Sequence, residues 1–218
     1  MQMLNGVASS NHATVIFRNG GTDAAAEDLT VRGAVVQSMT IKQDIAANAG
    51  QMTCDTTFWT AYQPVEEANG VATNITVDSS NAVKSIFQLT DAAITLNSQE
   101  LVPLSWEITI SRSLERVGSQ TYATTYLPFA YAQTGAWEVT GTLNVKADDN
   151  TFDNEAKLKG DHTTVALVIA GTGLSISLPT IALDTTTLDN SGSFLTHSIP
   201  FRAVSASTTA NIISITIS

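Results

Sequence analysis

Apolar and polar residues alternate with a period of two along four segments of this sequence, and such a pattern buries one face of a strand rather than one stripe of a helix. In the first segment Val35, Met39, Ile41 and Ile45, with Gln37 in phase, stand against Ser38, Thr40, Lys42 and Asp44. After the turn-forming Asn48-Ala49-Gly50, the residues Met52, Cys54, Thr56 and Phe58 alternate with Thr53, Asp55, Thr57 and Trp59. Two long strands joined by a short loop predict a hairpin. A second pair repeats the design. Leu104, Trp106, Ile108 and Ile110 alternate with Ser105, Glu107, Thr109 and Ser111, and later Trp137, Val139, Gly141, Leu143 and Val145 alternate with Glu138, Thr140, Thr142, Asn144 and Lys146. Residues 113 to 135 between them sustain neither period and read as an extended loop. Residues 61 to 73 form the other long loop.

A shorter strand precedes each long pair, at Ala13 to Arg18 and at Ala92 to Leu96. Further strands are expected at Asn74 to Val77, Val83 to Leu89, Thr164 to Ala170, Leu174 to Leu178, Ile199 to Val204 and Ile212 to Ile217, with Gly, Asn, Asp or Pro between most neighbours. Helix is scarce. Thr151 to Lys159 is the best candidate, with acids near its start, Lys157 and Lys159 near its end and Gly160 to stop it. The expected fold is therefore all-β, a β-sandwich or barrel-like architecture with one short flanking helix. No Pro-rich or Gly/Ser-rich linker divides the chain, so one domain over residues 1–218 is expected.

Charge excludes one class of function. With 20 acidic and 10 basic residues the net charge is -10, and the Lys and Arg residues are scattered, so phosphate backbones are repelled rather than tracked. Cys54 is the only cysteine, which leaves no intrachain disulfide and no Cys-based zinc site. Its phase between Met52 and Thr56 points to a buried, inert thiol. His12, His162 and His197 lack metal-binding spacing, and Asp161-His162 are strand neighbours that point to opposite faces. Asp148, Asp149, Asn150, Asp153, Asn154 and Glu155 gather oxygen ligands without EF-hand spacing, and a helix cap accounts for them. No nucleophile elbow or phosphate loop occurs. The reading is no enzyme, no cofactor and no metal. Neither a cleaved signal nor a membrane-spanning segment is encoded.

The run Val31-Arg32-Gly33-Ala34-Val35-Val36-Gln37-Ser38-Met39-Thr40-Ile41, followed by a threonine-rich strand, resembles the major tail tube proteins of long-tailed bacteriophages. Leu104-Ser105-Trp106-Glu107-Ile108-Thr109-Ile110-Ser111-Arg112 adds to the likeness, as do Leu174 to Pro179, Ile199 to Ala203 and the closing Ile213 to Ile217. The resemblance implies a virion protein, made in the host cytoplasm, whose hexameric rings stack into a hollow tube. Its partners would be itself and other tail proteins, with no membrane, and DNA would pass through the lumen without specific binding. It also implies that two long hairpins per subunit contribute to a shared inner barrel, and that the family has no catalytic residues.

The faces opposite the apolar ones suit such a lumen. They carry Ser38, Thr40, Asp55, Thr57, Glu107, Thr109, Glu138, Thr140 and Thr142, which are mostly small, hydrated, and neutral or acidic. A wall of this chemistry holds water and does not hold phosphate. Lys42 and Lys146 are exceptions, expected near hairpin ends or paired with acids. An ordinary solvent face of an antiparallel sheet has the same pattern. The alternative is a monomeric β-sandwich binding module, carbohydrate-binding or capsid-decorating, that would use Trp59, Tyr62, Tyr122, Tyr126 and Tyr131 for recognition. A fibre or surface-layer subunit is a further alternative, and an unrecognised hydrolase a distant one. Trp106 and Trp137 are read as core, and Trp59, out of phase with its strand, as facing a neighbouring subunit.

Overall fold

The computed structural model describes residues 13–17, 27–60, 65–68, 93–117, 130–147, 165–171, 173–190, 192, 195–205 and 211–217. The expected helix at Thr151 to Lys159, the strands at 74–77 and 83–89, the acidic cluster at 148–155 and Asp161-His162 lie outside them. Within them the chain is almost entirely strand. In order come β1 (Ala13–Phe17), β2 (Glu27–Asp44), β3 (Thr53–Trp59), β4 (Val65–Ala68) and β5 (Ala93–Leu96). Then follow β6 (Gln99–Leu101), β7 (Pro103–Ser111), β8 (Leu114–Val117), β9 (Ala130–Gln133) and β10 (Glu138–Lys146). Last come β11 (Val165–Gly171), β12 (Leu174–Leu183), β13 (Thr187–Asp189), β14 (Thr196–Ala203) and β15 (Ser214–Ile217). The all-β class is as expected.

Two compact units form. The first comprises Met1–Ser38, Thr56–Ala82 and Arg112–Ala136, and the second Met39–Asp55, Val83–Ser111 and Trp137–Ser218. In the first, β1 and β4 both pair antiparallel with the start of β2. Val15 pairs with Val31 but Ala13 with Ala34, so β2 carries one extra residue, and Gly33 there takes φ 63. That is a bulge, with the left-handed position given to the residue that has no Cβ. The buried positions of β2 in this unit are Thr30, Ala34 and Val36, rather than the expected Val35 and Gln37. Gln37 instead accepts a hydrogen bond from the Trp59 indole at 2.6 Å, so Trp59 is half-buried and tied down within this unit.

The loops expected at 61–73 and 113–135 contain strands. β4 occupies part of the first, and β8 pairs with β9 from Leu114↔Gln133 to Val117↔Ala130. Strands of four residues are too short for a period of two to stand out. Arg112, next to β8, donates from Nε to the Val36 carbonyl at 2.9 Å, and burial lowers the pKa of its guanidinium from the ordinary value.

In the second unit antiparallel neighbours run β2, β7, β10, β14, β12, β11, β5 and β6, with β3 on the other side of β2. The second expected hairpin is present as β7 and β10, in register from Glu138↔Ser111 to Val145↔Pro103. The longer strands each bury one apolar face. Trp106, Ile108 and Ile110 on β7, Val139, Leu143 and Val145 on β10, and Ile199 and Phe201 on β14 are buried, as are Ile94, Leu96, Leu167, Ile169, Ile176 and Leu178 on the remaining strands. Each aliphatic side chain removed from water in this way contributes roughly 1.5–3 kcal/mol. Gly141 continues the inward phase of β10 where the Phe201 ring needs space, since a Cβ there would lie 2.4 Å from Phe201 Cζ and 2.3 Å from the Glu107 carbonyl oxygen.

Two polar side chains share this core. His197 is buried, and so is Gln43, at 2% exposure. Gln43 accepts from the Trp106 indole at 2.9 Å through Oε1 and donates to the Gly50 carbonyl at 2.6 Å through Nε2. The amide thus satisfies two groups that would otherwise be buried unpaired. It also ties β7 to the turn after β2, where Asn48, Ala49 and Gly50 all take positive φ of 51, 53 and 72.

Candidate functional site

The polar face of the β2, β7, β10 and β14 sheet in the second unit collects most of the residues singled out by sequence. Inward positions Ile41, Trp106, Ile108, Ile110, Val139 and Leu143 force their neighbours outward, because successive side chains on a strand alternate. Thr40, Glu107, Thr109, Glu138, Thr140 and Thr142 are those neighbours. Register aligns them across the strands, with Thr142 opposite Glu107, Thr140 opposite Thr109 and Glu138 opposite Ser111. Thr40 and Thr109 hydroxyls share a hydrogen bond of 2.9 Å, and Asn144 donates to the Ser105 hydroxyl at 2.9 Å. The threonines are half-buried and both glutamates exposed.

Asp55 on β3 joins this group through Lys42, whose Nζ lies 2.8 Å from Asp55 Oδ2. The Asp55 hydrogen bond and charge, aided by Glu107, hold the Lys42 ammonium above its usual pKa against a small opposing effect of burial. Lys42 therefore stays charged at neutral pH with its charge directed to carboxylates. Lys42 had been expected beside an acid, and it is. Lys146 sits at the end of β10. Ser38 on β2 and Thr57 on β3 belong to the first unit, the former half-buried and the latter exposed.

Arg202 was missed by the sequence reading. It stands opposite Thr140 on β14 and makes an ion pair with Glu138. The alternation of His197, Ile199 and Phe201 inward was the available signal, since it turns Ser198, Pro200 and Arg202 to the polar side. Four carboxylates, Asp44, Asp55, Glu107 and Glu138, face three cations, Lys42, Lys146 and Arg202, so this face is close to neutral in a chain of net charge -10.

Cys54 departs from expectation. It is exposed, as are Asp55, Thr57 and Phe58, because β3 pairs only with β2 among the described residues and no second layer covers it. Alternation on such an edge does not create a buried face. A polar cleft of about 360 Å³ opens at one end of the face, lined by Lys42, Asp44, Asn48, Thr53, Thr142 and Asn144 among others. Among the described residues no group of three or more His, Cys, Asp and Glu side chains is placed to hold a metal ion. The arrangement offers hydroxyls, amides and paired charges.

No curated protein matches the chain. The model of the family described as phage tail tube protein matches residues 6–210, which is nearly the whole sequence. The chain therefore belongs to the phage tail tube protein family, as a structural subunit of the virion tail that assembles with itself and with other tail proteins.

Proposed function

We propose that the chain forms hexameric rings that stack into a hollow tube, and that the polar face of the β2, β7, β10 and β14 sheet lines the lumen through which the genome passes. The two long hairpins of each subunit join a shared inner barrel, and the whole chain acts as one tail-tube domain. Thr40, Asp55, Glu107, Thr109, Glu138, Thr140 and Thr142 are the lining residues on the second unit. Ser38 and Thr57 are assigned the same role by the phase of their strands.

The observation that carries this reading is the charge state of the face. Lys42 is paired with Asp55 and Arg202 with Glu138, so these cations are engaged by carboxylates of the same surface. A duplex sliding past such a wall meets a hydrated, nearly neutral surface. Each engaged phosphate would release a counterion and hold the DNA back, so neutrality favours transit. Pairing also removes the repulsion that a purely acidic ring would build up within itself.

Two measurements test the proposal. Negative-stain electron microscopy of the purified protein should show hollow tubes of uniform width, and monomers at every concentration would refute it. In phage carrying Thr109→Lys with Thr142→Lys, tails should still assemble, while DNA release should slow in a way that added salt reverses. Unchanged release kinetics would remove this face from the lumen.

A further inference from the structure

One end of the same sheet is apolar. Hydrogen bonds continue the ladder beyond the last core residues, from Ile45 N–H to the Leu104 carbonyl, from Lys146 N–H to the Val102 carbonyl and from Ala147 N–H to the Leu195 carbonyl, each 2.9 Å. Ile45, Val102 and Leu195 therefore end neighbouring strands at the same side of the second unit. Their exposures are 52%, 49% and 36%. Ile45 and Leu195 each follow the inward phase of their strand one step beyond its last buried residue, Gln43 and His197. The apolar stripe of the core thus runs out past the end of the unit into water. Exposed aliphatics scattered singly are ordinary, whereas these three stand in a row across adjacent strand ends.

We propose that this strand end seats against a second copy of this chain in the next ring of the tube. The inference rests on the tube reading above, which already requires copies to meet. Charge selects where they can. Copies of net charge -10 repel one another at separations within a Debye length of about 8–10 Å. Residues 45 to 49, Ile-Ala-Ala-Asn-Ala, are all exposed and carry no charge. Asp44 and Lys146 flank the row with opposite signs. The turn is also set in advance, because the Gly50 carbonyl is held by the buried Gln43 amide. Docking a preset tip spends little ordering entropy.

The test uses Ile45→Asp and Leu195→Asp, singly and together, with Ile45→Leu as the conservative variant. Tube length by negative-stain microscopy and assembly size by sedimentation velocity are the readouts, with melting temperature as the check on folding. The double variant should stop at single rings or need at least about tenfold more protein to elongate, while Ile45→Leu should behave as wild type. If an aspartate variant melts early, Ile45→Ser with Leu195→Ser should give the same loss of elongation. Tubes of wild-type length from folded double variants overturn this surface and leave the tube reading standing. Wild-type protein that never forms tubes overturns both.

Discussion

Replacing Gly141 by alanine adds one methyl group at a point where the sheet has no room for it. The new Cβ would sit 2.3 Å from the Glu107 carbonyl oxygen and 2.4 Å and 2.9 Å from two Phe201 ring carbons. Carbon atoms pack comfortably at about 3.5 Å or more, so roughly 1 Å must be found on two sides at once. The carbonyl is backbone of β7, and moving it disturbs the ladder in which Gly141 pairs with Ile108. The ring is equally confined, because Phe201 is buried. Overpacking of this kind costs about 1–3 kcal/mol, and a site blocked by backbone belongs at the upper end. Alanine returns about 0.4–1 kcal/mol by restricting the unfolded chain. The expected net loss is about 2 kcal/mol, or about 4–8 °C in melting temperature for a chain of this size. Thermal denaturation followed by circular dichroism under non-assembling conditions measures it. Adding Phe201→Leu to Gly141→Ala should recover part of the loss, since it removes the ring and leaves the carbonyl contact. A Gly141→Ala protein as stable as wild type would refute the argument that glycine is there for space.

Gln43→Leu keeps the volume of the buried side chain but strands the Trp106 indole N–H and the Gly50 carbonyl, so urea denaturation should show a loss of about 2–4 kcal/mol. A change under 1 kcal/mol would mean that other groups replace both bonds. The Lys42 pair has a defined pH window. Its folded pKa is raised above the ordinary 10.5, so its contribution is complete below that value and disappears as pH rises through the higher folded value. The stability difference between wild type and Lys42→Met should therefore stay constant from about pH 7 to pH 10 and close only above that range. A difference already shrinking near pH 8 would contradict the assigned pairing.

The strands most legible in the sequence are those covered on one face by a second layer. On β7 and β10 the alternation places Trp106, Ile108, Ile110, Val139, Leu143 and Val145 inward, and these six are buried, whereas Leu104, Gly141 and Trp137, the last expected in the core, are only half-buried. The same rule fails on β3, which pairs only with β2 among the described residues and leaves Cys54 and Phe58 exposed. Gln43 occupies a core phase with a polar side chain, and its role depends on Trp106 and Gly50, which only the folded chain brings to it. Arg202 and Glu138 are likewise joined by strand pairing and not by spacing. Two of the five crossings between the units leave no composition signal, because they fall between Ser38 and Met39 inside β2 and between Asp55 and Thr56 inside β3. A boundary that falls within strands has no glycine, proline or serine linker to announce it.

The amide of Gln43 has a mechanical consequence. A hairpin tip supported only by its own turn can bend freely, but here any tilt of the tip away from β7 must break the buried hydrogen bonds of Gln43 to Trp106 or Gly50. Load applied to the loop is passed into the body of the sheet instead of being absorbed by a hinge. In the tube proposed above, such a joint would keep compliance out of the hairpin of each link.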